Sequence, residues 1–160
     1  MKTPKREPPE QFLRGLKHGY RSGLEIQVAK QLEQAGIDVD YENLRIQFVQ
    51  PSKVRTYTPD FVLPNGIIIE TKGRFTSADR QKHLFVQQQY PELDIRFVFA
   101  NPNQRLNKTS KTTYAKWCEK NGFKYAAKLI PESWLKEPKK ELPFNKGVYR
   151  RDNNDSKGAS

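Results

Sequence analysis

The stretch 59-PDFVLPNGIIIETKG-73 sets Glu70-Thr71-Lys72 directly after the apolar run Ile67-Ile68-Ile69, ten residues beyond Asp60, which itself follows a proline. A strand rich in β-branched residues belongs in a sheet, and burying unpaired charge there is costly or forces neutralisation. A metal ion is one candidate for the compensating charge. Pro64-Asn65-Gly66 is a turn signal, so 58–63 and 67–72 should form a hairpin. With a three-residue loop, Leu63 faces Ile67 and Asp60 lies directly opposite Glu70, their Cβ atoms about 4.5–5.5 Å apart on one face. With a loop of Asn65-Gly66 alone, and no bulge, the two carboxylates point to opposite faces. Lys72, two residues beyond Glu70, shares its face in either case.

In the first register the carboxylates repel unless a cation lies between them. Oxygen-only ligation suits Mg²⁺ or Mn²⁺, which keep several waters and accept phosphate oxygens as further ligands. That equipment fits phosphodiester hydrolysis, in which divalent ions stabilise developing charge and acidify water, while a nearby lysine positions the water or neutralises the phosphate. Glu-x-Lys alone is weak evidence, since Glu137-Pro138-Lys139 repeats it where proline argues against a central strand. The combination of the chain's only Pro-Asp, a hairpin turn and Glu-x-Lys ending an apolar strand is far more specific. The competing reading makes Asp60 a turn residue and Glu70–Lys72 an edge ion pair.

The elements that must carry these residues alternate along the chain. Ser22 and Glu25 read as a capping box, with Leu24, Val28 and Leu32 as the apolar face of a helix ending at Gly36. Segments 37–49 and 54–63 look extended around Pro51-Ser52, and 66–71 is the isoleucine-rich strand. Thr76 or Ser77 caps a helix to about Gln89; strand 95–100, a polar loop 101–111, a helix from Thr112 or Thr113 to about Lys120, a strand within 123–130 and a last helical turn at 132–137 follow. Strands interleaved with helices predict an α/β layer fold with a mixed sheet.

At 160 residues the chain can bury one core, and no run approaches the length of a membrane span or the apolar stretch of a signal peptide, so a soluble, intracellular protein is expected. A single cysteine, Cys118, excludes an internal disulfide and reads as a core or half-buried thiol. Twenty-nine basic against 18 acidic residues give a net charge of +11, with +4 in residues 1–21 and +3 in residues 136–160. Basic ends rich in proline and small polar residues read as arms that neutralise phosphates, which makes nucleic acid the natural partner. His18 lies in the basic arm, and His83 reads as a helix-surface residue; neither has a ligand partner at helical spacing. Tyr20, Trp117 and Trp134 adjoin apolar positions and read as packing residues.

Pro59-Asp60 with Glu70-Thr71-Lys72 resembles the PD-(D/E)xK nuclease superfamily. The wider text, 21-RSGLE-25, 57-YTPDFVLPNG-66, 69-IETKG-73, 90-YPELDIRFVF-99, 129-LIPESW-134 and 136-KEPKKELPF-144, resembles the endonuclease I family of lytic phages, Holliday-junction resolvases, over about residues 20–145. The resemblance implies a restriction-endonuclease-like mixed β-sheet flanked by helices, in a domain-swapped homodimer whose segment 44–57 bridges the subunits. The resemblance covers the nuclease domain at 20–145; composition adds a flexible basic N-terminal arm at 1–19 and a flexible polar tail at 146–160, where this chain differs most from the family.

The resemblance also implies two divalent ions, Mg²⁺ or Mn²⁺, held by Glu25, Asp60, Glu70 and the main-chain carbonyl of Thr71, whose side chain should face away from the site; Lys72 completes the catalytic set. On the residues alone Glu25 reads as a helix cap; the resemblance makes it catalytic. Arg14, Lys17, Arg21, Lys53, Arg55 and Arg74 are candidate DNA contacts. The implied function is structure-selective cleavage of four-way and other branched DNA in the cytoplasm, that of the host cell for a phage protein, with no membrane partner. A non-catalytic basic module that binds branched DNA and a duplex-specific restriction-type nuclease are the alternatives.

Overall fold

The computed structural model describes residues 23–50 and 53–151. The N-terminal arm, with Arg14, Lys17, His18, Tyr20, Arg21 and the expected cap Ser22, lies outside the described residues, as do Pro51-Ser52 and 152–160. The elements run α1 (Gly23–Gln34), β1 (Asp40–Tyr41), β2 (Leu44–Gln50), β3 (Lys53–Tyr57), β4 (Phe61–Val62), β5 (Ile68–Lys72), α2 (Ser77–Gln89), β6 (Ile95–Phe99), α3 (Tyr114–Asn121), β7 (Lys124–Ala127), α4 (Glu132–Leu135) and β8 (Val148–Arg150).

Local chemistry accounts for most boundaries. Leu24, Val28 and Leu32 bury one stripe of α1, and the chain turns away where Gly36 takes a φ of 69°. Thr76 caps α2 through a capping box with Asp79, and Thr113 caps α3, which stops at a left-handed Gly122. The hairpin loop has three residues: Leu63 N–H donates to the Ile67 carbonyl at 2.9 Å, and Phe61 pairs with Ile69 and Val62 with Ile68. This is the register that aligns Asp60 with Glu70. Gly66, with a φ of 88°, sits against the Lys140 backbone, where a Cβ would collide with the carbonyl.

A five-stranded mixed sheet in the order β1-β4-β5-β6-β7 forms the centre, antiparallel through β1, β4 and β5 and parallel through β5, β6 and β7. Strand alternation divides its core into two. Ile68, Phe97 and Phe99 pack with Phe75, Val86, Tyr114, Trp117 and Phe123 on one side; Ile67, Ile69 and Val98 pack with the α1 stripe, Ile130 and Trp134 on the other.

A second, antiparallel sheet in the order β3-β2-β8 adds Leu44, Ile46, Phe48, Tyr57 and Val148 to the first core. Within one chain, β2 and β3 pair as an antiparallel ladder running from Ile46–Tyr57 to Gln50–Lys53. The tail expected from residue 146 starts later: Val148 is fully buried, and β8 pairs with β2 from Leu44–Arg150 to Ile46–Val148. His83 is corrected from a surface residue to a fully buried one, its ring edge-on to Tyr57 at 4.9 Å and Phe97 at 4.7 Å, because it shares the inner face of α2 with Val86.

The C-terminal segment is fastened to the sheet by charge. Arg96, fully buried in β6, bonds Asp94 Oδ2 at 2.8 Å and Glu137 Oε1 at 2.8 Å and lies over the Trp134 ring; Lys140 bonds Asp94 from outside. Burial alone would raise the Asp94 carboxyl, but the bonds from Arg96 and Lys140 outweigh it and hold it at about 2. A pKa depressed below its unfolded value of about 3.9 contributes stability that is complete above that value and disappears as pH falls through about 2. Asp94→Asn should therefore lower the unfolding free energy by about 1–2 kcal/mol at neutral pH, with the gap from the unmodified chain closing as the solution is acidified through this window. Urea denaturation at neutral and acid pH measures it; a gap independent of pH would mean that the Asp94 charge is not what holds the segment.

Candidate active site

The sheet register builds the site. One step beyond the Phe61–Ile69 pair, Asp60 comes beside Glu70 of β5. One step beyond the Tyr41–Phe61 pair, Glu42 comes beside Asp60 from the other side, and Glu42 N–H donates to the Asp60 carbonyl at 3.1 Å. Three carboxylate residues thus stand in a row across the ends of β1, β4 and β5. Glu42 takes a left-handed φ of 49°, uncommon for a side chain of this size. The first turn of α1 brings Glu25 over the row, and Tyr41 Oη donates to Glu25 Oε1 at 2.8 Å.

Carboxylate oxygens of Glu25, Glu42 and Asp60 lie within 4.8 Å of one another. Asp60 Oδ2 accepts both the Thr71 N–H at 2.9 Å and the Thr71 hydroxyl at 2.8 Å. The expectation that the Thr71 side chain faces away from the site is corrected by this second bond. Asp60 sits just past the last β4 pair, where sheet alternation no longer dictates its direction, and it turns toward Thr71 while remaining close enough to Glu70 to act on its charge.

Glu70 is buried, and its Oε2 accepts from Tyr57 Oη at 2.6 Å while Lys72 Nζ stands 3.4 Å from Oε1. Burial, and then the neighbouring Asp60 charge, push the Glu70 carboxyl up to about 8. Burial would lower Lys72, but Glu70, Asp79 and Asp60 outweigh it and raise its pKa. Lys72 is consequently a standing cation, held from the far side by Asp79 Oδ1 at 3.4 Å. Asp79 does this from the α2 capping box, its own carboxyl held low by Lys72 and Thr76 against the effect of burial.

Of the residues singled out from sequence, Glu25, Asp60, Glu70, Thr71 and Lys72 come together. Arg74 is exposed in the segment directly after Lys72, and Lys53 and Arg55 are exposed on β3. Glu42, Tyr57 and Asp79 were not anticipated. Glu42 has no local signature and is found only through the β1–β4 register; the Tyr57 and Asp79 roles depend on long-range packing. The donor set is all oxygen, with a fixed cation alongside, which fits hard divalent cations such as Mg²⁺ or Mn²⁺ and a phosphoryl group. Neither ring nitrogen of the buried His83 has a hydrogen-bond partner among the described residues; burial, then the Lys82 and Lys72 charges, hold it neutral well below the usual range, so it adds packing and no charge.

A family model described as phage endonuclease I matches residues 12–154. Endonuclease I of Escherichia phage T7 is 55% identical over 127 residues, covering 79% of this chain and 85% of that protein. Endodeoxyribonuclease 1 of Enterobacteria phage T3 is 58% identical over 127 residues, covering 79% of this chain and 84% of its own length.

Crowded carboxylates give opposite signs with and without a cation. In EDTA, Asp60→Asn should raise the melting temperature, because one repelling charge is removed while an oxygen remains to accept from Thr71. Saturating Mn²⁺ should raise the melting temperature of the unmodified chain, by about 2.7 kcal/mol of added stability at a hundred times Kd, and leave Asp60→Asn almost unmoved. An equal Mn²⁺ shift in both proteins would remove Asp60 from the cation site.

Proposed function

The chain belongs to the phage endonuclease I family, and on that premise we propose that it is a structure-selective endodeoxyribonuclease that resolves four-way and other branched DNA by metal-dependent phosphodiester hydrolysis. The observation that carries the reading is the row of carboxylates around Asp60 with Lys72 held charged beside Glu70. A module that only binds DNA has no use for buried carboxylates near phosphate, where they repel the ligand.

Glu25, Asp60, Glu70 and the Thr71 carbonyl would hold two divalent ions, Mg²⁺ or Mn²⁺, with Glu42 beside Glu25 and Asp60 in the same acidic group. Such ions supply Lewis acidity toward phosphoryl oxygens and lower the pKa of the attacking water. Lys72, charged in the resting protein, neutralises the scissile phosphate and orients the water as a hydrogen-bond donor, not as a base. Tyr57 fixes one Glu70 oxygen and Thr71 fixes one Asp60 oxygen, so the ligands are oriented before DNA arrives. The reaction takes place in the host cytoplasm; among the described residues no helix is long and apolar enough to cross a membrane.

Asp60→Asn and Glu70→Gln should each abolish cleavage of a labelled four-way junction in Mg²⁺ while leaving junction binding intact, since each removes a ligand charge and keeps the side-chain volume. Lys72→Ala should stop cleavage and keep the Mn²⁺-induced stabilisation. Undiminished cleavage by a correctly folded Asp60 or Glu70 variant sinks the assignment, and equal cleavage of junction and matched linear duplex sinks the structural selectivity.

The active form is a domain-swapped homodimer in which the segment at about 44–57 crosses between subunits, because two strands of a junction must be cut and a two-fold dimer brings two sites. Glu25 precedes that segment, whereas Asp60, Glu70 and Lys72 follow it, so contacts made here within one chain would form between two. Co-refolding Glu25→Gln chains with Asp60→Asn chains then yields heterodimers with one intact and one doubly damaged site. The expected result is nicking of one strand of a supercoiled cruciform plasmid by the mixture when neither parent cuts. An inactive mixture, with heterodimers verified by differently tagged chains, would show that each site is built from one chain.

A further inference from the structure

One basic run without acidic residues leaves the sheet between β6 and α3. Between Asp94 and Glu119 there is no acidic residue, while Arg96, Arg105, Lys108, Lys111 and Lys116 fall in that interval. Arg96 is consumed in the buried network with Asp94 and Glu137. The other four are exposed, and none makes an ion pair among the described residues. An uncompensated cluster of this kind raises the local anion concentration and favours a polyanionic partner.

Topology puts this cluster beside the site. Strands β5, β6 and β7 are parallel, so their carboxyl ends share one edge, the edge at which ligands of open α/β sheets bind. Lys72 is the last residue of β5, and the loop leaving β6 begins against it, Ala100 N–H donating to the Lys72 carbonyl at 3.1 Å. The loop's far end returns to the same place: the hydroxyl of Tyr114, at the start of α3, accepts the Phe75 N–H at 3.2 Å. Gly73 and Arg74 lie between these two anchor points.

The loop is also stiff. Asn101 Oδ1 accepts from Asn103 N–H, and Asn107 Oδ1 accepts from Thr109 N–H at 3.0 Å and Ser110 N–H at 2.7 Å. Leu106 N–H donates to the Thr112 carbonyl and Tyr114 N–H to the Gln104 carbonyl, both at 2.9 Å, while the Leu106 side chain packs on the core. Basic side chains on a preordered backbone meet a phosphate ladder with little loss of chain entropy.

Resting on the nuclease reading above, we infer that the β6–α3 loop, residues 101–113, is a phosphate-binding ridge that grips the backbone of a duplex arm beside Lys72, through Arg105, Lys108 and Lys111, with Arg74 completing the track. It makes no base contact and so adds affinity without sequence preference. The test is the salt dependence of four-way junction binding in EDTA, where no strand is cut. Combined Arg105→Ala, Lys108→Ala and Lys111→Ala substitutions in the full chain should weaken binding at least tenfold and flatten the log–log salt slope by about 0.9 for each phosphate no longer neutralised. In Mg²⁺ with saturating junction the same variant should keep its cleavage rate within about twofold, because these side chains hold DNA and leave the reacting phosphate to Lys72.

Alanines at Lys30, Lys136 and Lys139 remove the same formal charge elsewhere and should leave the slope near its original value. The ridge is overturned if the loop variant, folded by circular dichroism, keeps the original affinity and slope, or if the control lowers both equally. Should the unmodified chain cut no DNA in Mg²⁺, the nuclease reading falls, while the comparison of binding slopes still decides the ridge.

Discussion

Everything at the site follows from one electrostatic conflict: a two-residue strand, β4, is paired antiparallel on both sides, so the residue just before it is flanked by carboxylates from both neighbours. Asp60 stands between Glu42 and Glu70, with Glu25 arriving from the helix layer. Burial first, and then the neighbouring Asp60 charge, disfavour the ionised form, which is why Glu70 is held so far above an ordinary carboxylate. The sheet provides rigid backbone placement for the conflict, and the apolar residues on either side, Ile67 to Ile69 and Phe61 to Leu63, keep it out of bulk water.

Neutral donors surround the carboxylates. Hydroxyl donors from Tyr41, Tyr57 and Thr71 orient three of the carboxylates but bring no charge. The one cation among the described residues at hydrogen-bonding range, Lys72, is shared between Glu70 and Asp79. Three carboxylates, from Glu25, Glu42 and Asp60, thus gather oxygens that could hold a metal ion. Basic surface and acidic cluster thus lie on different residues of the described chain.

Local chemistry made most of the framework legible in the sequence. The α1 stripe and Gly122 follow from short-range rules, which also narrow each of the α2 and α3 caps to two neighbouring residues; the same rules allow a hairpin loop of two or three residues, and only the three-residue parity aligns Asp60 with Glu70. What escaped depends on pairing between distant segments. Glu42 is informative only once β1 is known to lie beside β4, across eighteen residues of chain. β8 escaped because three residues in a polar, basic tail carry no period, although Val148 turns out to be fully buried against β2. The Thr71 hydroxyl defied alternation because its partner stands where the ladder has already ended. His83 looked polar and proved to be a ring in an aromatic cluster, its charge suppressed by burial.

The second sheet also limits when two chains can trade halves. β2 lies before residues 51–52, while both of its neighbours, β3 and β8, lie after them, so separating the halves strips β2 on both edges at once, five pairs on one side and three on the other. It also draws Leu44, Ile46 and Phe48 out of the core they share with Val148. That barrier approaches the one for global unfolding, far above local fraying. Any exchange of halves between two copies would therefore have to happen while the chains fold, because once folded each chain would have to unfold β2 from both neighbours first.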